Sequence, residues 1–335
     1  MGRRFSIAVR GAGVVGLWQA LLLARRGHRV SLYERSQQPF AAACSVYAGA
    51  MLAPRCEEES AEAIVGELGR RGIALWRETY PGTIANGSLV VALKRDRAEL
   101  DRFARMTGGH RRLSQAEIEE LEPGLAGRVA GGLFYAEEAH LAPEPALRFL
   151  LDAAIAAGVD VRFGKDAPPK DAKLIVDCRG LAARDELPGL RGVRGERIVL
   201  RSREVRLARP VRLLHPRFPL YVVPWGDGLY MIGATVIESE EAGPITLRSA
   251  LDLLSAAYAL DPAFAEAEIV AQGAGARPAF PDNRPRIIRR NGYIYVNGLY
   301  RHGFLLAPAL AELVADHLDT GATHPEVFLA DPAQR

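Results

Sequence analysis

Three glycines and an acid carry the first chemical signal of this 335-residue chain. Gly11, Gly13 and Gly16 stand in G-x-G-x-x-G spacing, and Glu34 follows Gly16 by 18 residues. Each suits a task at a dinucleotide. Gly11 permits a tight turn, and Gly13 lets a pyrophosphate approach the backbone. Gly16 lets a helix lie close on the preceding strand and point its free N–H groups at the anion. Glu34 can accept hydrogen bonds from the hydroxyls of an adenosine ribose. The spacing alone also fits a glycine-rich turn in an ordinary α/β domain. What directs it toward a dinucleotide is a strand, turn, helix, strand context.

That context runs from Phe5 to Arg35. Ser6 to Val9 are β-prone, and Leu17, Ala20, Leu21, Leu23 and Ala24 run apolar along a helix that Gly27 ends. His28 to Tyr33 form a second strand. The next stretch, Ser36 to Ser60, is rich in Ala and poor in periodicity, as suits a segment lying flat against something large. Ser60 to Tyr80 reads as a helix with Ile64, Leu68, Ile73, Leu75 and Trp76 inward. Ser114 and Glu117 form a capping box at the start of another. Strand patterns cover Asn86 to Leu93, Gly131 to Tyr135 and most of Gly192 to Ile237. Strands at Val159 to Phe163, Leu174 to Val176, Ile287-Ile288 and Tyr293 to Val296 return to the first unit, and a helix over Gly303 to Leu318 closes it. The expected fold class is α/β (α+β). A Rossmann-like cofactor domain comprises residues 1–83, 140–191 and 276–335, and a discontinuous β-sheet domain comprises 84–139 and 192–275.

The charge balance excludes several function classes. The chain has 43 basic and 40 acidic residues, a net charge of +3, and no long single-sign block. Nucleic acid and an acidic membrane surface are therefore not expected partners. No apolar run approaches a membrane span. Cys44, Cys56 and Cys178 are odd in number and lack ligand spacing, which implies a reduced cytoplasmic protein without a structural metal.

Seven segments in order resemble the D-amino acid oxidase and glycine oxidase family of flavoproteins, above all the glycine oxidases of thiamine synthesis. They are the opening glycine turn, AGAMLAP at Ala48 to Pro54, VDCRG at Val176 to Gly180, RGVRGE at Arg191 to Glu196, YVVPWGDGLYMIGAT at Tyr221 to Thr235, GARP at Gly275 to Pro278 and NGLYRHGFLLAP at Asn297 to Pro308. The resemblance implies FAD held without a covalent link, because no Cys follows Cys178. It places the pyrophosphate on the backbone of Val14 and Val15 and the ribose by Glu34 and Arg35. Cys44, Ser45, Gly49, Ala50 and Met51 pass along the flavin, and Ala167 meets the adenine end through its main chain. Leu299, Tyr300, Arg301, His302, Gly303, Phe304 and Leu305 close over the isoalloxazine. A helix starting at Gly303 would aim free N–H groups at the flavin N1 and C2 carbonyl, where negative charge develops.

The same resemblance assigns the substrate carboxylate to Arg277, a hydroxyl donor to Tyr221 and the pocket wall to Arg301. Without it, Arg277 reads as a surface cation, Tyr221 as a packed strand residue and His302 as a packing or capping residue. The implied reaction is oxidative deamination of glycine or another small amino acid, with O2 taking the electrons and hydrogen peroxide, ammonia and a keto acid formed. A homo-oligomer is what the family implies. The alternative is a D-amino acid, sarcosine or opine dehydrogenase that passes electrons to another acceptor. A nicotinamide-dependent reductase, for which only the first 35 residues argue, is a more distant one, as is a flavin-bearing subunit without turnover. Three departures bear on substrate choice. Ala48-Gly49-Ala50-Met51 replaces the usual Ala-Ala-Gly-Met order, Val236 stands where Met can occur, and Leu299 stands where His is common.

Overall fold

The computed structural model describes residues 4–168, 172–215, 219–241 and 243–329. Strand β1 (Ser6–Arg10), helix α1 (Val14–Arg25) and strand β2 (Arg29–Glu34) form the expected opening unit. β1 pairs in parallel with β2 on one side and with Ile175–Asp177 on the other. Among the described residues this sheet has seven strands, in the order Phe328–Leu329, Arg286–Arg290, Tyr293–Asn297, Ile175–Asp177, β1, β2 and Asp160–Phe163. The first strand of the chain thus lies inside the sheet, between the next strand in sequence and one more than 160 residues away. Such a strand is buried on both faces and reads as continuously apolar, as Ile7, Ala8 and Val9 do.

Helices α1, Ala63–Thr79, Pro143–Ala156 and Gly303–Thr320 supply the main core of this unit. Trp18 and Trp76 are fully buried and meet edge to face, with centroids 4.9 Å apart. The Trp76 indole N–H donates to the Phe304 carbonyl at 2.7 Å, which satisfies a buried donor and fixes where the last helix begins. A Cβ on Gly72 would lie 2.0 Å from the Leu305 carbonyl oxygen, so the Ala63–Thr79 helix lies directly on that first turn.

The second sheet has eight strands among the described residues, in the order Glu268–Ala279, Arg191–Arg201, Leu229–Gly233, Leu220–Gly226, Val211–Leu214, Ser88–Leu93, Val129–Tyr135 and Arg111–Ser114. Neighbouring strands are antiparallel except Val211–Leu214 and Ser88–Leu93, which pair in parallel, and successive side chains along each strand point to opposite faces. Ile198, Leu200, Val222 and Ile232 pack with Leu253, Ala256, Ala257 and Leu260 of helix Leu247–Leu260. The opposite face carries Gly195, Tyr221 and Arg277 toward a cavity.

Several boundaries differ from the sequence reading. The helix expected from Ser60 begins at Ala63, and a separate turn of helix, Pro54–Glu57, precedes it. Pro54 starts that turn because proline suits the first helical position. The strands Arg191–Arg201 and Glu268–Ala279 run through the junctions expected at 191/192 and 275/276. Residues 1–3, 169–171 and 330–335 of the expected cofactor domain, and residues 216–218 and 242 of the expected β-sheet domain, lie outside the described residues.

Candidate active site

The glycine turn has the geometry its spacing implies. Gly11 adopts φ +91°, and a Cβ on Gly16 would lie 1.8 Å from the Gly11 carbonyl oxygen. Neither position accepts a side chain without moving the turn. The Val14 N–H donates to Ser45 Oγ at 3.2 Å, while the Val15 and Gly16 amides have no acceptor among the described residues. Glu34 is 7% exposed. Its Oε2 accepts the Ala12 N–H at 2.8 Å and its Oε1 the Ser36 N–H at 3.0 Å. It therefore braces the glycine turn as well as lining the cleft.

Two connected cavities open beside this turn. The first, about 990 Å³, is lined by Gly11, Gly13, Val14, Val15, Glu34 and Arg35, among others. The second, about 1250 Å³, lies between the two sheets. Val14, Cys44, Ser45, Tyr300 and Gly303 line both. A Cβ on Gly303 would lie 3.7 Å from Val14 Cγ1, so two helix N-termini converge on the junction. The amides of Gly303, Phe304 and Leu305 lack acceptors there, and His302 makes no side-chain cap. A long cleft with two converging positive helix ends and a wall of small residues fits FAD, whose pyrophosphate and flavin would each meet one end.

Of the residues expected to touch cofactor or substrate, Gly49, Ala50, Met51, Tyr221, Arg277, Arg301, His302, Phe304 and Leu305 line the second cavity and Leu299 the first. Gly16 and Ala167 line neither. Gly16 acts through its close approach to Gly11. In the loop of Ala167, Asp166 reaches the cleft instead, and its carbonyl accepts from Arg10 Nε at 3.1 Å.

The reversed Gly49-Ala50 order has a local cause. A Cβ on Gly49 would lie 2.1 Å from Met231 Cε and 2.9 Å from Tyr221 Cε2. Glycine here admits those two side chains, and buried Ala50 takes the left-handed conformation, φ +52°. Ala50→Gly is expected to raise stability by about 1 kcal/mol through release of that strain. Denaturant midpoints of the FAD-loaded proteins read this directly, and an unchanged or lower midpoint contradicts it.

Among the described residues three guanidinium groups line the second cavity, those of Arg212, Arg277 and Arg301. Arg212 Nη2 pairs with Glu59 Oε2 at 2.6 Å. Arg301 donates from Nε to Glu57 Oε2 at 2.7 Å and from Nη2 to Ser60 Oγ at 2.9 Å. Arg277 has no carboxylate partner among the described residues; Nη1 donates to the Thr235 carbonyl at 3.3 Å. Its strand position opposite Val193 lays the guanidinium over Gly195, where a Cβ would come within 1.9 Å of Nη2. Tyr221 stands among these charges. Its hydroxyl makes no hydrogen bond among the described residues. Burial pushes the phenol pKa up, so it remains a neutral donor. A free guanidinium beside a free hydroxyl can take a carboxylate in charge-assisted bonds.

The sequence reading did not single out Glu57 or Arg212. Burial opposes the charge on Glu57, but Arg301 and His302 hold its pKa well below the ordinary value. His302 Nε2 lies 2.8 Å from Glu57 Oε2. The available signal was the triplet Glu57-Glu58-Glu59 directly after the flavin-facing stretch. The fold assigns these acids to Arg301, Arg55 and Arg212 respectively. Among the described residues no group of three or more His, Cys, Asp or Glu could hold a metal ion, and no helix is long and apolar enough to cross a membrane.

Comparisons with known proteins give the chain's relatives. A Rhizobium etli protein assigned by name to thiamine biosynthesis as the oxidoreductase ThiO is 51% identical over 329 residues, covering 96% of this chain and 98% of its own. The glycine oxidase of Geobacillus kaustophilus is 27% identical over 368 residues, covering 96% of this chain and 95% of its own. The crystal structure of glycine oxidase from Geobacillus kaustophilus superposes with a TM-score of 0.81 at 24% identity, covering 96% of each chain, and so shares the fold. The family described as FAD dependent oxidoreductase matches residues 6–317, and the chain belongs to that family.

Proposed function

We propose that this protein oxidises glycine, or another small amino acid, to its imine and passes the electrons to O2, giving hydrogen peroxide. Hydrolysis of the imine yields ammonia and the keto acid, and within thiamine synthesis the glycine imine is itself the product used. The reading rests on one observation above others. Arg277, unpaired with any carboxylate among the described residues, stands beside the free Tyr221 hydroxyl in a cavity continuous with the dinucleotide cleft. FAD supplies the acceptor for the α-hydrogen and its electron pair. The chain's own residues bind and orient. Arg277 holds the carboxylate in two parallel bonds and Tyr221 donates a third. Arg301 forms the wall, fixed in place by Glu57. The backbone of Val14 and Val15 and the helix end at Gly303 to Leu305 hold the cofactor.

In this reading residues 1–83, 140–191 and 276–335 form the cofactor domain, and 84–139 and 192–275 the substrate domain. The enzyme is cytoplasmic and a homo-oligomer. The 51% identity to the ThiO-named protein supports the thiamine assignment. The test is an anaerobic titration of the FAD-loaded protein with glycine, sarcosine and D-alanine, followed by air. Bleaching by glycine with peroxide on reoxidation is expected. A flavin untouched by all three overturns the reading, and bleaching without peroxide moves the enzyme to the dehydrogenases.

A further inference from the structure

Arg277 and Tyr221 account for the carboxylate of an amino acid and leave its nitrogen without a partner. Glu57 ends the Pro54–Glu57 turn and lines the same cavity. Its hydrogen bonds are lopsided. Oε2 accepts from Arg301 Nε at 2.7 Å, lies 2.6 Å from Arg301 Nη2 and lies 2.8 Å from His302 Nε2. Oε1 has no hydrogen-bond partner among the described residues, and the Glu57 side chain is 18% exposed. A carboxylate with one oxygen tied by the Arg301 guanidinium and the His302 ring and the other free is oriented as well as charged. The side chains of Glu57, Arg277, Arg301 and Arg212 all lie within electrostatic reach of the Tyr221 phenol. One small chamber therefore contains a free cationic site and a free anionic oxygen.

We propose that Glu57 Oε1 receives the substrate nitrogen, accepting an N–H hydrogen bond and stabilising the positive charge that develops there. This rests on the amino acid oxidase reading above. In the balanced step the Cα–H bond breaks and its electron pair leaves with the hydrogen as hydride to FAD, the oxidant. The nitrogen lone pair forms the C=N bond, so the nitrogen becomes cationic. Glu57 gains and loses no proton. Arg301 and His302 hold it ionised, which makes it a weak base and a persistent acceptor. A fixed charge aimed where charge develops lowers the barrier without reorganisation.

The experiment compares two ligands on FAD-loaded Glu57→Gln and Glu57→Asp. Acetate has the carboxylate without the nitrogen, and its binding is read from the flavin spectrum. Glycine is followed anaerobically by the limiting rate of flavin reduction. In Glu57→Gln the acetate Kd is expected to move less than about 3-fold while the reduction rate falls roughly 100-fold. Glu57→Asp, which keeps the charge but withdraws it by one methylene, is expected to fall between. The pH profile of reduction is expected to keep its substrate-ammonium limb in both variants. An unchanged reduction rate in Glu57→Gln overturns the proposal, as does equal loss of acetate binding and reduction, which would make Glu57 a support for Arg301 only. Disappearance of the ammonium limb overturns it in favour of a general base. If Glu57→Gln does not fold, a wild-type rate in Glu57→Asp combined with altered acetate binding overturns it too. A wild-type flavin that no amine reduces overturns both readings, whereas a reducible wild type beside an unaffected Glu57→Gln overturns only this one.

Discussion

Arg277→Ala is expected to lower kcat/KM for glycine by 10²- to 10³-fold, chiefly through KM, while FAD stays bound. Two charge-assisted hydrogen bonds to a carboxylate in a partly desolvated chamber contribute roughly 3–4 kcal/mol, and that energy converts to this factor. The size of the effect follows from the charge count around the cavity. Arg212 and Arg301 are each neutralised by a glutamate, at 2.6 Å in both cases. Neither can replace Arg277 without abandoning its partner, so no neighbouring cation among the described residues rescues the loss. Arg277→Lys keeps the charge but not the fork, and it is expected to recover only part of the activity. Arg277 does not line the first cavity, so the flavin-to-protein ratio should match that of the wild type. Steady-state kinetics with a flavin content measurement decide the matter. Wild-type KM in Arg277→Ala would remove the carboxylate assignment, and loss of flavin would move Arg277 to the cofactor.

How much of this was legible in the chain depended on the range of the signal. The turn Gly11 to Gly16 announced itself because each glycine answers a constraint set within a few residues, such as the 1.8 Å approach at Gly16. The capping box at Ser114 and Glu117 forms as its spacing implies, for the same reason. The inward positions of the Ala63–Thr79 helix followed from period alone, and Ile64, Leu68, Ile73, Leu75 and Trp76 are all buried. Long-range assignments were another matter. Nothing local distinguishes Arg277 from the chain's other arginines. Its freedom from a carboxylate depends on where Glu57 and Glu59 place their charges, and those acids lie more than 200 residues away in sequence. Only motif resemblance could single it out. Short edge strands such as Arg111–Ser114 and Phe328–Leu329 carried too little pattern to be read, since pairing partners define them.

Glu138 shows what lies beneath the site and gives a second large effect. It is fully buried and accepts from the Cys56 N–H at 2.8 Å, from Cys56 Sγ at 3.3 Å and from Ser88 Oγ. Cys56 precedes Glu57, so this carboxyl anchors the turn that presents Glu57 to the cavity. Burial pushes its pKa up to about 7, against the lowering effect of the Ser88 and Cys56 hydrogen bonds, and nearby Glu57 adds to the rise. The unfolded chain would titrate it near 4.5. Between those values the folded state holds more protons than the unfolded one, so stability falls as pH rises through this window. The separation is worth about 3 kcal/mol, absent below pH 4.5 and fully developed above pH 7. Glu138→Gln keeps the shape and removes the titration. Its stability relative to wild type is therefore expected to climb by about 3 kcal/mol from pH 4.5 to pH 8, measured as denaturant unfolding at a series of pH values. Parallel curves for the two proteins would mean that Glu138 ionises in place and that the Cys56 turn is held by a charged group. If the curves diverge as expected, the turn beneath the amine end of the cavity is anchored at neutral pH by a carboxyl close to its midpoint, and the site's geometry should loosen on the alkaline side before any catalytic group there changes charge.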